Sequence, residues 1–214
     1  MNMAALANNA AGIRLLCEAR CNPHARDILG YHPIETCCGH ASLDALEELL
    51  LQGQLMPAHG GRPVNFSQAL SAAMGGRGGR ADLVARLLEL KADVNEPWNV
   101  YEKSRLWRLW VGMKTLQHKY GKVTKTTRVC YHCPGATPLM TALIGGQFEG
   151  AAALIAAGAR LDLRNCRNRT AADVAKEQSV PYFVRDALEG RRAECARITA
   201  AAVADVTGLI AEDF

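Results

Sequence analysis

The sequence repeats itself at a fixed interval. Thr137-Pro138-Leu139 opens a short Ala-rich apolar segment, and Thr170-Ala171-Ala172 opens another 33 residues later. Between them Gly146 and Gly158-Ala159 punctuate two stretches that are each only long enough for a short helix. A recurrence at this interval constrains the fold more tightly than composition does. A unit of two short helices cannot bury its apolar face alone, so it must stack against copies of itself.

Upstream segments carry the same pattern in altered form. Ile13, Leu16 and Cys17 share one helical face, and Asn22-Pro23 provides an exit. Gly30-Tyr31-His32-Pro33-Ile34 opens a second unit, with Cys37-Cys38 at small-residue packing positions. Its partner helix spans 42–51, with Leu43, Leu46, Leu49 and Leu50 inward, Asp44, Glu47 and Glu48 outward, and Gly53 as a C-cap. Residues 54–63, with Pro57, Gly60, Gly61 and Pro63, are irregular. A third unit runs from Gln68 to Asn95, its second helix amphipathic at Leu83, Val84, Leu87 and Leu88. Its link Gly75–Arg80, GGRGGR, reads as a flexible connection rather than a phosphate loop, because the Gly-x-x-x-x-Gly-Lys pattern and a preceding strand are missing.

The Thr137-Pro138-Leu139 opening, the Gly146-x-x-Glu149 link and the Leu154-Ile155-x-x-Gly158-Ala159 close resemble the ankyrin repeat family. The resemblance implies an all-α solenoid of four to five stacked helix pairs with short β-turn fingers and a C-terminal capping helix. The corresponding division is 1–29 (a partial first repeat, the chain starting inside it), 30–65, 66–97, 98–134 (a basic insert or degenerate repeat), 135–167, 168–190 and 191–214 (the cap). In the capping unit Phe183, Val184, Ala187 and Leu188 face inward, followed by a stripe of Cys195, Ile198, Ala202, Val206 and Leu209. His32 stands where the family has Thr, and an imidazole can cap a helix in its place.

The resemblance also implies a function: a non-catalytic scaffold or adaptor that grips a protein partner with finger tips and first helices. Carried over by motif position, that surface comprises Leu29, Tyr31 and His40; Cys133, Ala136 and Ile144; and Arg167, Arg169 and Gln178. The expected location is the cytoplasm, with the nucleus as the other option. No stretch is long and apolar enough to span a membrane.

Residues 98–134 break the pattern. They hold all three Trp, three of the five Tyr, and eight Lys or Arg against Glu102 alone, a net charge of +7 in a chain of +4. Trp98, Trp107 and Trp110 are candidate partner anchors. Residues 104–120 read as a basic amphipathic helix, and Trp107, Val111 and Leu116 match the 1-5-10 spacing of calmodulin targets. A calmodulin-like protein at 103–120 is therefore the alternative reading. The basic run Lys119, Lys122, Lys125 and Arg128 has no nucleic-acid fold around it.

Several of the eight cysteines sit where small buried residues belong, and together they read as reduced thiols. Cys130, His132 and Cys133, with His118 in reach, form a zinc candidate, although Cys-x-His-Cys is tighter than the usual ligand pairs. Cys133 and Cys166 lie one period apart, which sets them too far apart for a disulfide. No nucleophile has its base, no His-Glu-x-x-His occurs, and no cofactor motif is present, so neither an enzyme nor a cofactor is expected.

Overall fold

A computed structural model of the chain describes residues 1–55 and 64–212, excluding the side chains of 54, 55, 101 and 205–212. The described residues are all-α, with no strand. The helices are α1 Asn2–Leu6, α2 Ala10–Glu18, α3 Pro33–His40, α4 Leu43–Leu55, α5 Phe66–Gly75, α6 Ala81–Glu89 and α7 Arg105–Tyr120. They continue with α8 Lys125–His132, α9 Pro138–Gly145, α10 Phe148–Ala156, α11 Ala171–Lys176, α12 Tyr182–Leu188 and α13 Ala193–Glu212. Residues 56–63, most of the stretch expected to be irregular, lie outside the described residues.

Helices α2, α3, α5, α7, α8, α9 and α11 start where a side chain accepts from their N-terminal amides. His32 Nδ1 accepts from the Ile34 N–H at 3.1 Å, and Glu35 accepts from the His32 N–H at 2.8 Å, so the imidazole does take the capping role. Asn65 caps α5, Thr137 caps α9, and Thr170 caps α11 with Asp173 closing the box. The caps His32 and Asn65 are 33 residues apart, as are Thr137 and Thr170. One further step from Asn65 lands on Trp98, where the chain leaves the row; it re-enters at Thr137.

Two layers follow from this spacing. In one, α1, α3, α5, α9 and α11 pack side by side; in the other, α2 packs on α4, α6 on α10 and α10 on α12. The core between the layers is built from Ala and Leu, with Leu46, Leu70, Leu87, Leu143 and Leu154 fully buried. Cys37 and Cys38 are wholly buried at the close α3–α5 contact. The five-residue α1, which the sequence pattern does not announce, lies beside α3. Helix α13 does more than close an end: it turns back across α12, α10 and α6 and buries Cys195.

Three local expectations need correction. Glu48 faces inward, 7% exposed, because Arg14 on α2 reaches it at 2.9 Å. Gly53 is not a cap, since α4 continues to Leu55. The Gly75–Arg80 link is packed rather than flexible. A Cβ on Gly76 would strike the Gly39 carbonyl and one on Gly78 the Cys38 carbonyl, while the Arg77 N–H donates to Gly39 O at 2.8 Å. Glycine at these positions lets the link lie directly on α3.

Candidate functional site: a groove roofed by the Trp-rich insert

The insert leaves and rejoins the body at a narrow neck. The Trp98 N–H donates to Ala136 O at 2.8 Å, and the Gly135 N–H donates to Trp98 O at 3.3 Å. Gln68, buried on α5, holds the same neck: its amide donates to Glu96 and Pro97, and its carbonyl accepts from the Asn99 N–H at 2.9 Å. Because α5 and α9 pack directly on each other, the insert stands outside the two layers. After a 3-10 turn at Val100–Glu102, α7 and α8 form a hairpin, and α8 leans on α9.

The hairpin folds back over the first-layer helices because Lys103 docks on α3. Lys103 Nζ lies 2.6 Å from Glu35 Oε2, both side chains at most 4% exposed, and it sits 4.4 Å above the Tyr31 ring. Arg26 reaches the same carboxylate at 3.5 Å. Burial lowers the Lys103 ammonium below its ordinary value, and the Glu35 carboxylate opposes that shift. Gly30, at φ +89°, lets the Ser104 N–H approach and donate to Leu29 O at 3.1 Å; a Cβ there would stand 2.7 Å from that nitrogen. Trp107 then meets Tyr31 edge-on at 5.2 Å and Trp98 at 6.3 Å, and stacks on Trp110 at 4.9 Å.

Between this roof and the helices below runs a groove of about 760 Å³, a size typical of ligand-binding clefts. Its lining reaches from Leu6 at the end of α1 to Thr141 on α9 and Lys125 on α8. Six residues that the sequence marks as candidates converge on it: Leu29, Tyr31, His40, Trp98, Trp107 and Cys133. Two polar atoms in the lining are buried without a hydrogen-bond partner, Ser71 Oγ on α5 and Trp107 Nε1. Arg77 and Lys125 stand at its mouth, both exposed, and neither pairs with a carboxylate among the described residues. Ser71 and Arg77 carry no sequence signal of their own; Lys125 belongs to the basic run but is not distinguishable within it.

The other candidates fare differently. Trp98, 8% exposed, wedges the neck and cannot act as a projecting anchor. Ala136 and Ile144, at 0% and 2%, are core residues, and Cys133 at 2% lines the groove floor with little surface. Trp110 lies in a smaller adjoining cavity with Trp107 and Lys125. Arg167, Arg169 and Gln178 are not brought to the groove, and each has an internal partner. Arg167 stacks over Tyr131 at 4.4 Å, Arg169 pairs with Glu177 at 3.4 Å, and Gln178 donates to Leu143 O at 2.9 Å.

The calmodulin-type anchors do not share a face. Val111 is buried against Trp98, Val100, Cys130 and Cys133, Trp107 is half-buried, and only Leu116 is exposed. Cys130, His132 and Cys133 are all buried, and no group of three or more His, Cys, Asp or Glu among the described residues is placed to hold a metal ion. Burial pushes the Cys130 thiol up to about 11 and the Cys133 thiol up to about 12, so both are held as neutral thiols. All eight cysteines are unpaired, and among the described residues no helix is long and apolar enough to cross a membrane.

The class of molecule defined so far is an all-α chain whose stacked helices carry a groove under a basic, aromatic roof. No protein-family model matches the chain, and no curated protein aligns with it significantly.

Proposed function

We propose that this chain is a non-catalytic adaptor of the ankyrin-repeat type that holds an extended acidic segment of a partner protein in the roofed groove. The ankyrin reading is supported by the 33-residue spacing of the helix caps, the side-by-side first helices and the sequence motifs around Thr137. The peptide reading is carried by one observation: Ser71 Oγ and Trp107 Nε1 are buried and unpartnered in the lining of a groove whose mouth holds unpaired Arg77 and Lys125. Buried polar groups are normally satisfied, so two orphans in one groove point to a ligand with polar backbone atoms. Four helices side by side, at about 8–10 Å spacing, span about 24–30 Å, the length of about seven to nine extended residues.

The test is selection of a random-peptide display library on the intact chain. Enriched peptides should be rich in Asp and Glu, should shift the emission of the groove tryptophans, and should be lost when Arg77→Glu and Lys125→Glu are combined. Both positions are exposed, so the variant should unfold like the wild type. Absence of enrichment, or enrichment indifferent to the charge reversal, refutes the groove reading.

A further inference from the structure

Helix α7 shows apolar side chains on two sides. Its inner side packs on α8 through Trp107 and Val111, with Thr115 donating to Cys130 O at 3.3 Å. Its outer side carries Leu106, Leu109, Met113, Leu116 and Tyr120, each 55–76% exposed. The steps between them are three, four, three and four residues. That is the a/d alternation of a coiled-coil seam, and it is narrower than the broad apolar face of a helix lying in a membrane surface. Large apolar residues scattered singly on a surface need no explanation, but five in one unbroken row do.

The charges along the row all have one sign. Helix α7 contains Arg105, Arg108, Lys114 and Lys119 and no acidic residue. Arg105 and Lys119 fall at positions that flank the seam. Lys114 donates to Gln117 and Lys119 lies over the Tyr120 ring at 5.1 Å, so none of the four is paired with a carboxylate among the described residues. A second copy of this chain would bring like charges together, whereas a helix with Leu on one seam and Glu beside it would match both the row and the charge.

We infer that the outer face of α7 is a docking site for an acidic amphipathic helix of a partner protein, which pairs along Leu106, Leu109, Met113, Leu116 and Tyr120. The groove lies on the opposite side of the hairpin, so the two sites are separable. Helix α7 is 16 residues long, about 24 Å, so it offers just over two heptads. The inner face of α7 is held by the Trp107 and Val111 contacts, which fix which way the seam points and spare the partner the cost of ordering it.

The probe is a synthetic helical peptide of about 21 residues with Leu at the a and d positions and Glu beside them, which its own charge keeps from self-pairing. Its Lys counterpart and phosphatidylserine-containing vesicles serve as the alternative ligands. In fluorescence polarisation the acidic peptide should bind the intact chain at about 10 µM, and binding should weaken with salt. Leu109→Glu combined with Met113→Glu should weaken it by at least about tenfold, while Arg77→Glu with Lys125→Glu should leave it unchanged. Both altered seam residues are exposed, and retention of the wild-type unfolding transition would verify the fold. The inference is overturned if the acidic peptide fails to bind at about 100 µM, or if the Lys peptide binds equally well. It is also overturned if the seam variant loses vesicle binding or self-association without any change in peptide affinity. Loss of groove selection with retained seam binding would separate the failure of the peptide-groove reading from the failure of this one.

Discussion

Replacing His32 by Thr should change how stability depends on pH, with a size and sign that follow from the cap. The imidazole is 3% exposed, and its Nδ1 must stay unprotonated to accept from the Ile34 N–H. Burial, followed by the charges of Arg26, His24 and Lys103, lowers its pKa from 6.5 to about 3. The folded chain therefore binds the proton less readily than the unfolded chain. The stability that neutral His32 contributes is fully present above 6.5 and is lost as the pH falls towards 3. Each unit below the unfolded value removes about 1.4 kcal/mol, so at about pH 5 the loss is about 2 kcal/mol. Any folded value at or below about 4 gives the same figure.

Thr keeps the cap through its hydroxyl and does not titrate. At about pH 7.5 the variant should be less stable by about 1 kcal/mol, because it gives up the packing of a buried ring that lies 5.5 Å from His24. At about pH 5 it should be the more stable of the two by about 1 kcal/mol, the difference of these two figures. Burial also lowers the pKa of His118 and His132, but both remain in the variant and cancel from the comparison. Urea denaturation followed by circular dichroism across this range measures the difference directly. A wild-type-to-variant difference that stays constant within about 0.5 kcal/mol from about pH 7.5 to 5 refutes the argument.

Two further predictions concern the insert and the glycine link. Lys103→Met leaves Glu35 buried with only Arg26 and the His32 amide; at about 3 kcal/mol, the low end for breaking a buried pair, calorimetry should show Tm lowered by about 6–12 °C. The tryptophan emission should shift to the red as the roof lifts, and unchanged Tm and emission would show that Lys103 does not hold the insert. Gly78→Ala places a methyl against the Cys38 carbonyl and should cost more than about 2 kcal/mol in urea unfolding. Gly112→Ala, within α7 where nothing lies within 4 Å, should instead stabilise by about 0.5–1 kcal/mol. Equal effects at the two glycines would remove the packed-link account.

Much of the helical framework was legible in the sequence because its signals are local. The helix openings at Thr137 and Thr170, the inward Leu83, Val84 and Leu87 of α6, and the distinct character of residues 98–134 each depend on neighbours within one or two turns. Even the unusual cap at His32 could be expected from the resemblance, which puts it where the family has Thr, whereas the part of Glu35 in it came with the structure. The site was legible only in part. Leu29, Tyr31, His40 and Trp107 were identified as candidates, but nothing in the sequence brings them together with Ser71, Arg77 and Lys125.

The errors have a common physical origin. Periodicity gives the relative phase of residues around a helix, and it does not say which face meets the body when apolar groups occur on both. In α7 the pattern joins Trp107, Val111 and Leu116 into one anchor set, yet packing on α8 takes the first two inward and leaves Leu116 in the outer seam. The same limit applies to Ile144, buried by its neighbours in the layer, and to Glu48, drawn inward by an arginine 34 residues away. It applies as well to a glycine link constrained by the backbone of α3 and by Gln147, both distant in the chain. The sequence by itself determined the all-α character, the 33-residue recurrence of the helix openings at Thr137 and Thr170, and the composition of the insert. Only the tertiary structure decided where the insert docks, because that depends on contacts between distant residues, among them the buried Lys103–Glu35 pair, 68 positions apart, and the Ser104 N–H bond to Leu29 O. With those contacts come the groove, its two orphaned polar atoms and the outward row of α7.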